Sequence, residues 1–193
     1  MAFDGEQVLD AIRTRRVVRF WTAEPVAEHE VRRVVDAARW APAAGNRRVH
    51  HFVAVRDPVT IRLIKAISPG ISELPTGMIV IAIDHERVAS AGGQFHHRSL
   101  MIDVGTAAQT MLLAAHALGL GAGPVTSFSR AGARALLGLP HSMSPELIVC
   151  LGHPVQNVVN QRVQPARRIR LRDLVSWERF DAQKPARPEG GTR

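Results

Sequence analysis

Residues 104–129 contain no Asp, Glu, Lys or Arg, and this run limits what the rest of the chain can build. A helix apolar on all sides either spans a membrane, which takes roughly 20 predominantly apolar residues, or lies at the centre of a core. Here Thr106, Gln109, Thr110 and His116 interrupt the run, and Gly119, Gly121, Gly123 and Pro124 end its helical part early. The balance favours a buried helix over residues 103–120, "DVGTAAQTMLLAAHALGL", and no membrane span.

Such a helix needs layers around it, and the rest of the chain offers them. "GMIVIAID" (residues 77–84) is apolar enough to be a strand buried on both faces. "HFVAVR" (51–56) and "PELIVCLGHP" (145–154) read as further strands, the second closed by Gly152 and Pro154. Helical spacing runs through residues 6–15. It returns over 28–40, where Val31, Val34, Val35 and Ala38 follow the i, i+3, i+4, i+7 pattern. "PVTIRLIKAI" places Pro58 near a helix start, and "SRAGARALLGL" offers Ser129 as an N-cap. The expectation is mixed α and β structure. With 193 residues, one domain with a real core fits, drawn here as residues 1–178. The polar, Arg-rich end, residues 179–193, "FDAQKPARPEGGTR" apart from its first residue, is expected to be disordered.

The formal charge of +8 comes almost wholly from Arg, since Lys65 and Lys184 are the only lysines. A guanidinium is a planar fork suited to phosphate and carboxylate, which points to an anionic partner. Arg13, Arg15, Arg16 and Arg19 gather at the end of the first helix, and Arg162, Arg167, Arg168, Arg170 and Arg172 gather near the other end. Chain ends often lie close together, so the two groups can meet around one anion; for any single Arg, a solvated basic surface is the blander reading. Nucleic acid would also suit such a patch, but the chain has no Tyr and 5% aromatic residues, and no helix-turn-helix or RNA-binding signature.

Other constellations fall away on spacing. "GLGAG" (119–123) follows a helix rather than a strand, so it reads as a helix C-cap and not a dinucleotide loop. The pairs His50/His51 and His96/His97 are adjacent and lack the i, i+4 spacing of a helical zinc site, so no metal is expected. The single Cys150 cannot support a disulfide framework and reads as a small buried hydrophobe. The N-terminus shows no apolar signal region, and a cytoplasmic location is the expectation.

One stretch resists these plain readings. In "ARWAPAAGNRRVHHF" (38–52) an amphipathic helix runs into Pro42, loosens through Ala43, Ala44 and Gly45, and then presents Asn46, Arg47 and Arg48. A turn does not need that much donor chemistry.

Taken in order, "IRTRRVVRF", "VVDAARWAPAAGNRRVHHFVAV", "DVGTAAQTMLLAAHALGLGAGPVTSF", "LLGLP", "PELIVCLGHP" and "RRIRLRDLVSWE" resemble the FMN-dependent nitroreductase family, of which this would be a short, single-domain member. The resemblance runs over residues 12–178. It implies an α+β fold, an α/β/α sandwich with a mixed β-sheet flanked by helices, assembled as an intertwined homodimer. It implies that Arg15, Arg16, Val17 and Arg19 grip the phosphate and ribityl chain of FMN, with Arg168 or, next, Arg167 on the same phosphate. It further implies that Pro42, Ala43, Ala44 and Asn46 edge the flavin ring from the partner subunit, and that Pro124, Val125, Thr126 and Ser127 face the flavin N5 side with backbone amides. Val17, Ala43 and Ala44 stand where the family usually has hydroxyls, each a lost hydrogen bond of about 1 kcal/mol if nothing compensates. Arg48, Val49 and His50 replace a Gln-Pro-Trp, which alters the pocket wall.

The activity so implied is hydride transfer from NAD(P)H through FMN to an electrophilic small molecule such as a nitroaromatic, a quinone or an activated alkene, in ping-pong order. No side chain acts as a covalent catalyst. His50, and His96, His97 and Arg98 on a loop after "SAGGQF", are candidates for substrate contact, the latter three against the reading of a solvated loop. Two alternatives remain at this stage: a flavin-dependent oxidase or cofactor-processing enzyme on the same fold, and a non-catalytic basic protein that binds nucleic acid.

Overall fold

The computed structural model describes residues 4–92, 96–155 and 171–180. They belong to two compact units, Met1–Val159 and Asn160–Arg193. In the second unit the described residues form a short helix, α7 (Leu171–Leu174), with Trp177 and Phe180 exposed beyond it. The tail from 181 onward, and Arg167 and Arg168, lie outside the described residues.

The first unit is a four-stranded sheet with helices on both faces. Its elements are α1 (Gly5–Thr14), α2 (Glu28–Ala38), a 3-10 turn (Ala44–Asn46), β1 (His50–Val55), α3 (Pro58–Ala66), β2 (Gly77–Asp84), α4 (His85–Ser90), α5 (His97–Ala117), β3 (Gly121–Val125), α6 (Arg130–Leu136) and β4 (Met143–Gly152). The strand order is β1-β2-β4-β3. Every residue of β2 is buried, because its two faces serve two cores. Ile79, Ile81 and Ile83 pack with α2 and α5, through Val31, Val34, Val104, Ala108 and Met111. Met78 and Val80 pack with Ile61 and Ile64 of α3 and with Val125 of β3. This alternation is the two-residue period of a strand, and it makes the α/β/α layering.

Within that layering each pairing between the described strands is antiparallel. The crossover through α5 does leave β2 and β3 pointing the same way, but β4 lies between them, so the parallel strands are not neighbours. Two further boundaries differ. α5 begins at His97, ahead of the expected Asp103, because buried Leu100 continues the apolar spacing of Val104, Ala107, Ala108 and Met111 back by a turn. Gly119 is indeed the left-handed residue after the helix (φ +77°), but Gly121 and Gly123 belong to strand β3, which is not evident in the sequence. No described helix is long and apolar enough to cross a membrane.

Nor is α5 covered all round. Its buried residues lie to one side, while Gly105 and Gln109 are exposed and Ile102 is 65% exposed. An uncharged strip of the helix therefore faces outward in the single chain.

Candidate functional site

The basic segment after α1 is laid along β3 by backbone. Val18 N–H donates to the Ala122 carbonyl (2.9 Å) and Thr22 N–H to that of His153 (2.9 Å). The Trp21 indole donates to the Gly121 carbonyl at 3.3 Å. So close an approach requires glycine in the strand. A Cβ on Gly121 would stand 2.7 Å from Val18 Cγ1, and one on Gly123 would stand 2.6 Å from the Val18 carbonyl oxygen. The "GAG" of β3 thus exists to let residues 15–19 lie flat against the sheet edge.

The arginines of this segment have different fates. Arg16 donates to the carbonyls of Arg13 (2.6 Å) and Arg15 (2.9 Å), closing the end of α1. Arg15 Nε and Nη1 are shielded from solvent and have no hydrogen-bond partner among the described residues. Arg19 lines a crevice with Gly70, Ser72, Pro124 and Val125. Val17 packs toward Gly123 and offers no donor. Gly70 N–H donates to the Ser127 carbonyl (3.1 Å), which fixes the exit of β3, where Thr126 and Ser127 are exposed. Arg19 is therefore brought together with Pro124 and Val125 and, through Gly70, with the Ser127 carbonyl. Beneath them, burial pushes the Cys150 thiol up to about 12, against the pull of Arg19, so it stays protonated and is no nucleophile.

The 42–46 turn is held elsewhere. Ala44 N–H donates to both carboxylate oxygens of Asp103, each at 3.0 Å. The Thr106 hydroxyl lies 2.9 Å from the Pro42 carbonyl and 2.9 Å from that of Asp103, sharing its proton. Asn46 is exposed. Asp103 and Thr106 are in the first half of α5, whereas α1 meets α5 near the other end, through Thr14 and His116 (3.1 Å). At about 1.5 Å per residue, Asp103 and His116 are about 20 Å apart along the helix. One chain does not bring the turn to the arginine segment.

His50 opens β1 with its ring parallel to that of Phe52 (7°, centroids 6.3 Å). Its Nε2 is buried and without a partner among the described residues. Burial pulls its pKa below the ordinary value of 6.5, and Asp103 opposes that pull. The expected loop at His96, His97 and Arg98 is corrected: His96 is the N-cap of α5 and the other two lie in its first turn, all three exposed. Sequence reasoning passed over Asp103. Its signal is there in retrospect, as the last charge before the uncharged run.

A cavity of about 500 Å³ opens on the far side of Trp21, walled by Phe20, Trp21, Pro25, Leu74, Pro75 and Val155. Its Arg56 is engaged by the Val26 carbonyl (3.1 Å) and by Glu28 (3.6 Å). These walls hold no adjacent acid–base or nucleophilic pair.

An antiparallel sheet between helical layers, with a basic segment laid over a glycine-rich edge strand, defines a class of fold. The model of the nitroreductase family matches residues 12–78 and 69–153, and the chain belongs to that family. A Methanothermobacter thermautotrophicus protein named NADH dehydrogenase/NAD(P)H nitroreductase is 32% identical over 158 residues, covering 78% of each chain. Among solved structures, a protein from Desulfovibrio desulfuricans assigned to the nitroreductases and complexed with FMN is 30% identical, with a TM-score of 0.73 over 93% of this chain and 100% of that one. NADPH:FMN oxidoreductase from Vibrio harveyi, complexed with NAD+, is 27% identical, with a TM-score of 0.76 over 90% of this chain and 78% of that one.

Proposed function

We propose that this chain is an NAD(P)H-dependent FMN oxidoreductase acting on electrophilic small molecules in the cytoplasm, within a domain spanning residues 1–178. The observation that carries the reading is Arg15. A guanidinium with two shielded donors that have no partner among the described residues is costly unless an anion completes it, and a phosphate supplies the matching acceptors at charge-assisted strength. The residues present fit FMN in this respect. Arg15 and Arg19 would hold the phosphate end, and the exit of β3 at Thr126 and Ser127 would face the ring.

Bound FMN supplies the acceptance and release of hydride. The protein's part is to hold it, to leave one face open to NAD(P)H and then to a nitroaromatic, quinone or activated alkene, and to exclude competing side-chain chemistry. A protonated Cys150 suits that last role. Donor and acceptor would use the same face in turn, which makes the order ping-pong.

The site is completed by a second copy of the chain. The 42–46 turn and the arginine segment lie toward opposite ends of α5, which supports a homodimer in which Asn46 edges the flavin held by Arg15 of the other copy. The uncharged strip of α5 at Ile102, Gly105 and Gln109 is the surface such a dimer would bury. Steady-state kinetics with varied NADPH and a quinone test the activity: parallel double-reciprocal lines are expected, and no NAD(P)H oxidation with any acceptor class overturns the reading.

A further inference from the structure

The 42–46 turn is closed by its own backbone: Asn46 N–H donates to the Ala43 carbonyl (2.9 Å) and Arg47 N–H to that of Ala44 (3.3 Å). Gly45 and Asn46 both lie in the left-handed region (φ +58° and +55°), which suits glycine and asparagine, with Arg48 following at +36°. What fixes its place against the rest of the chain comes from α5. Asp103 is 4% exposed and presents both carboxylate oxygens to a single backbone N–H, that of Ala44. One turn further along the same helix, the Thr106 hydroxyl reaches the Pro42 carbonyl. The first half of the turn, at Pro42 and Ala44, is thus gripped by two side chains of one helix, and that helix is seated in the core by Leu100, Val104 and Ala107.

A buried carboxylate is a poor choice if stability alone is at stake, since an apolar residue of similar volume avoids the desolvation cost. Its advantage is direction: it fixes one N–H to within hydrogen-bond tolerance on a rigid element. We propose that Asp103, with Thr106, is a positioning residue of the flavin site, holding the 42–46 turn so that Ala44 and Asn46 meet the ring edge of the partner subunit's flavin. This rests on the reading that the turn borders FMN. The absent hydroxyls at Ala43 and Ala44 strengthen it, because a turn that lacks side-chain donors of its own must place its backbone groups accurately to contribute at all.

The experiment uses the full chain, stripped of flavin and titrated with FMN, comparing wild type with Asp103→Ala, Asp103→Asn and Thr106→Val. Asp103→Ala is expected to weaken FMN binding about tenfold, to move the visible flavin band and to shift the midpoint potential of bound FMN. Asp103→Asn keeps an oxygen that can accept from Ala44 N–H and is expected to restore affinity to within about threefold. Wild-type affinity, band and potential in Asp103→Ala, whatever its melting temperature, overturn the positioning role. Should that variant fail to fold, Thr106→Val carries the same test: a weaker FMN complex with a moved band supports the role, and an unchanged complex overturns it. A wild-type chain that takes up no FMN overturns the flavin reading and this proposal together. Normal wild-type binding with an indifferent Asp103→Ala overturns this proposal alone.

Discussion

At the scale of the residue, the arginines divide by what they touch. Arg15 waits with two shielded donors, Arg16 closes a helix end, and Arg62 on α3 is exposed. Replacing Arg15 by Ala should therefore cost roughly 1.5–3 kcal/mol of FMN affinity, one to two powers of ten, while Arg62→Ala, which removes the same charge, should cost nothing measurable by fluorescence titration. Equal losses from both would reduce the clamp to general electrostatic attraction. His50 gives a second residue-level expectation. Its folded-state pKa is depressed by burial, so as pH falls through about 6.5 the unfolded chain takes up a proton that the folded one still refuses, and stability is lost across that window. His50→Phe keeps the flat ring beside Phe52 and should lessen the fall in melting temperature between about pH 7.5 and about pH 5.5; an unaltered fall would show that other groups set it. The sequence made the arginine cluster visible, but not which member is left unpartnered, because that depends on which carbonyls Arg16 reaches.

At the scale of the element, β2 was legible over its full length, since eight residues buried on both faces leave an unbroken apolar run. β3 was not. Its sequence, Gly-Ala-Gly-Pro-Val, has almost no strand propensity, and its glycines answer to a neighbour far away in the chain, the Val17–Val18 backbone. Non-local causes of this kind leave no periodic trace. They do leave a testable one: Gly123→Ala would set a Cβ 2.6 Å from a backbone oxygen that no side-chain rotation can relieve. The expected result is displacement of residues 15–19 and loss of FMN binding by more than about tenfold, with the far-ultraviolet circular dichroism of the sheet and helices retained. Gly138→Ala is the comparison: its Cβ would enter open space, and although its φ of +63° strains the turn, flavin binding should persist.

At the scale of the whole molecule, the uncharged run over residues 104–129 points to an assembly. The reading of a helix surrounded within its own core holds for only part of α5, and the remaining strip, with Ile102 65% exposed, is left for another surface. α1 adds to this, since it buries none of its residues and leaves Val8, Leu9 and Ile12 between 42% and 48% exposed. A charge placed in the strip, Ile102→Arg, should convert a dimer to monomers in sedimentation and release the flavin with it, because the ring edge then loses its partner. A monomeric variant that keeps both flavin and turnover would contradict the shared site.

The central claim is that the anion completing Arg15 is the phosphate of FMN, one per chain. The most direct measurement is the absorption spectrum of the protein reconstituted with FMN and then desalted, followed by denaturation and identification of the released cofactor. The account predicts a yellow protein with bound-flavin bands that releases one equivalent of FMN per chain. Release of FAD, or a colourless protein after reconstitution, would contradict it.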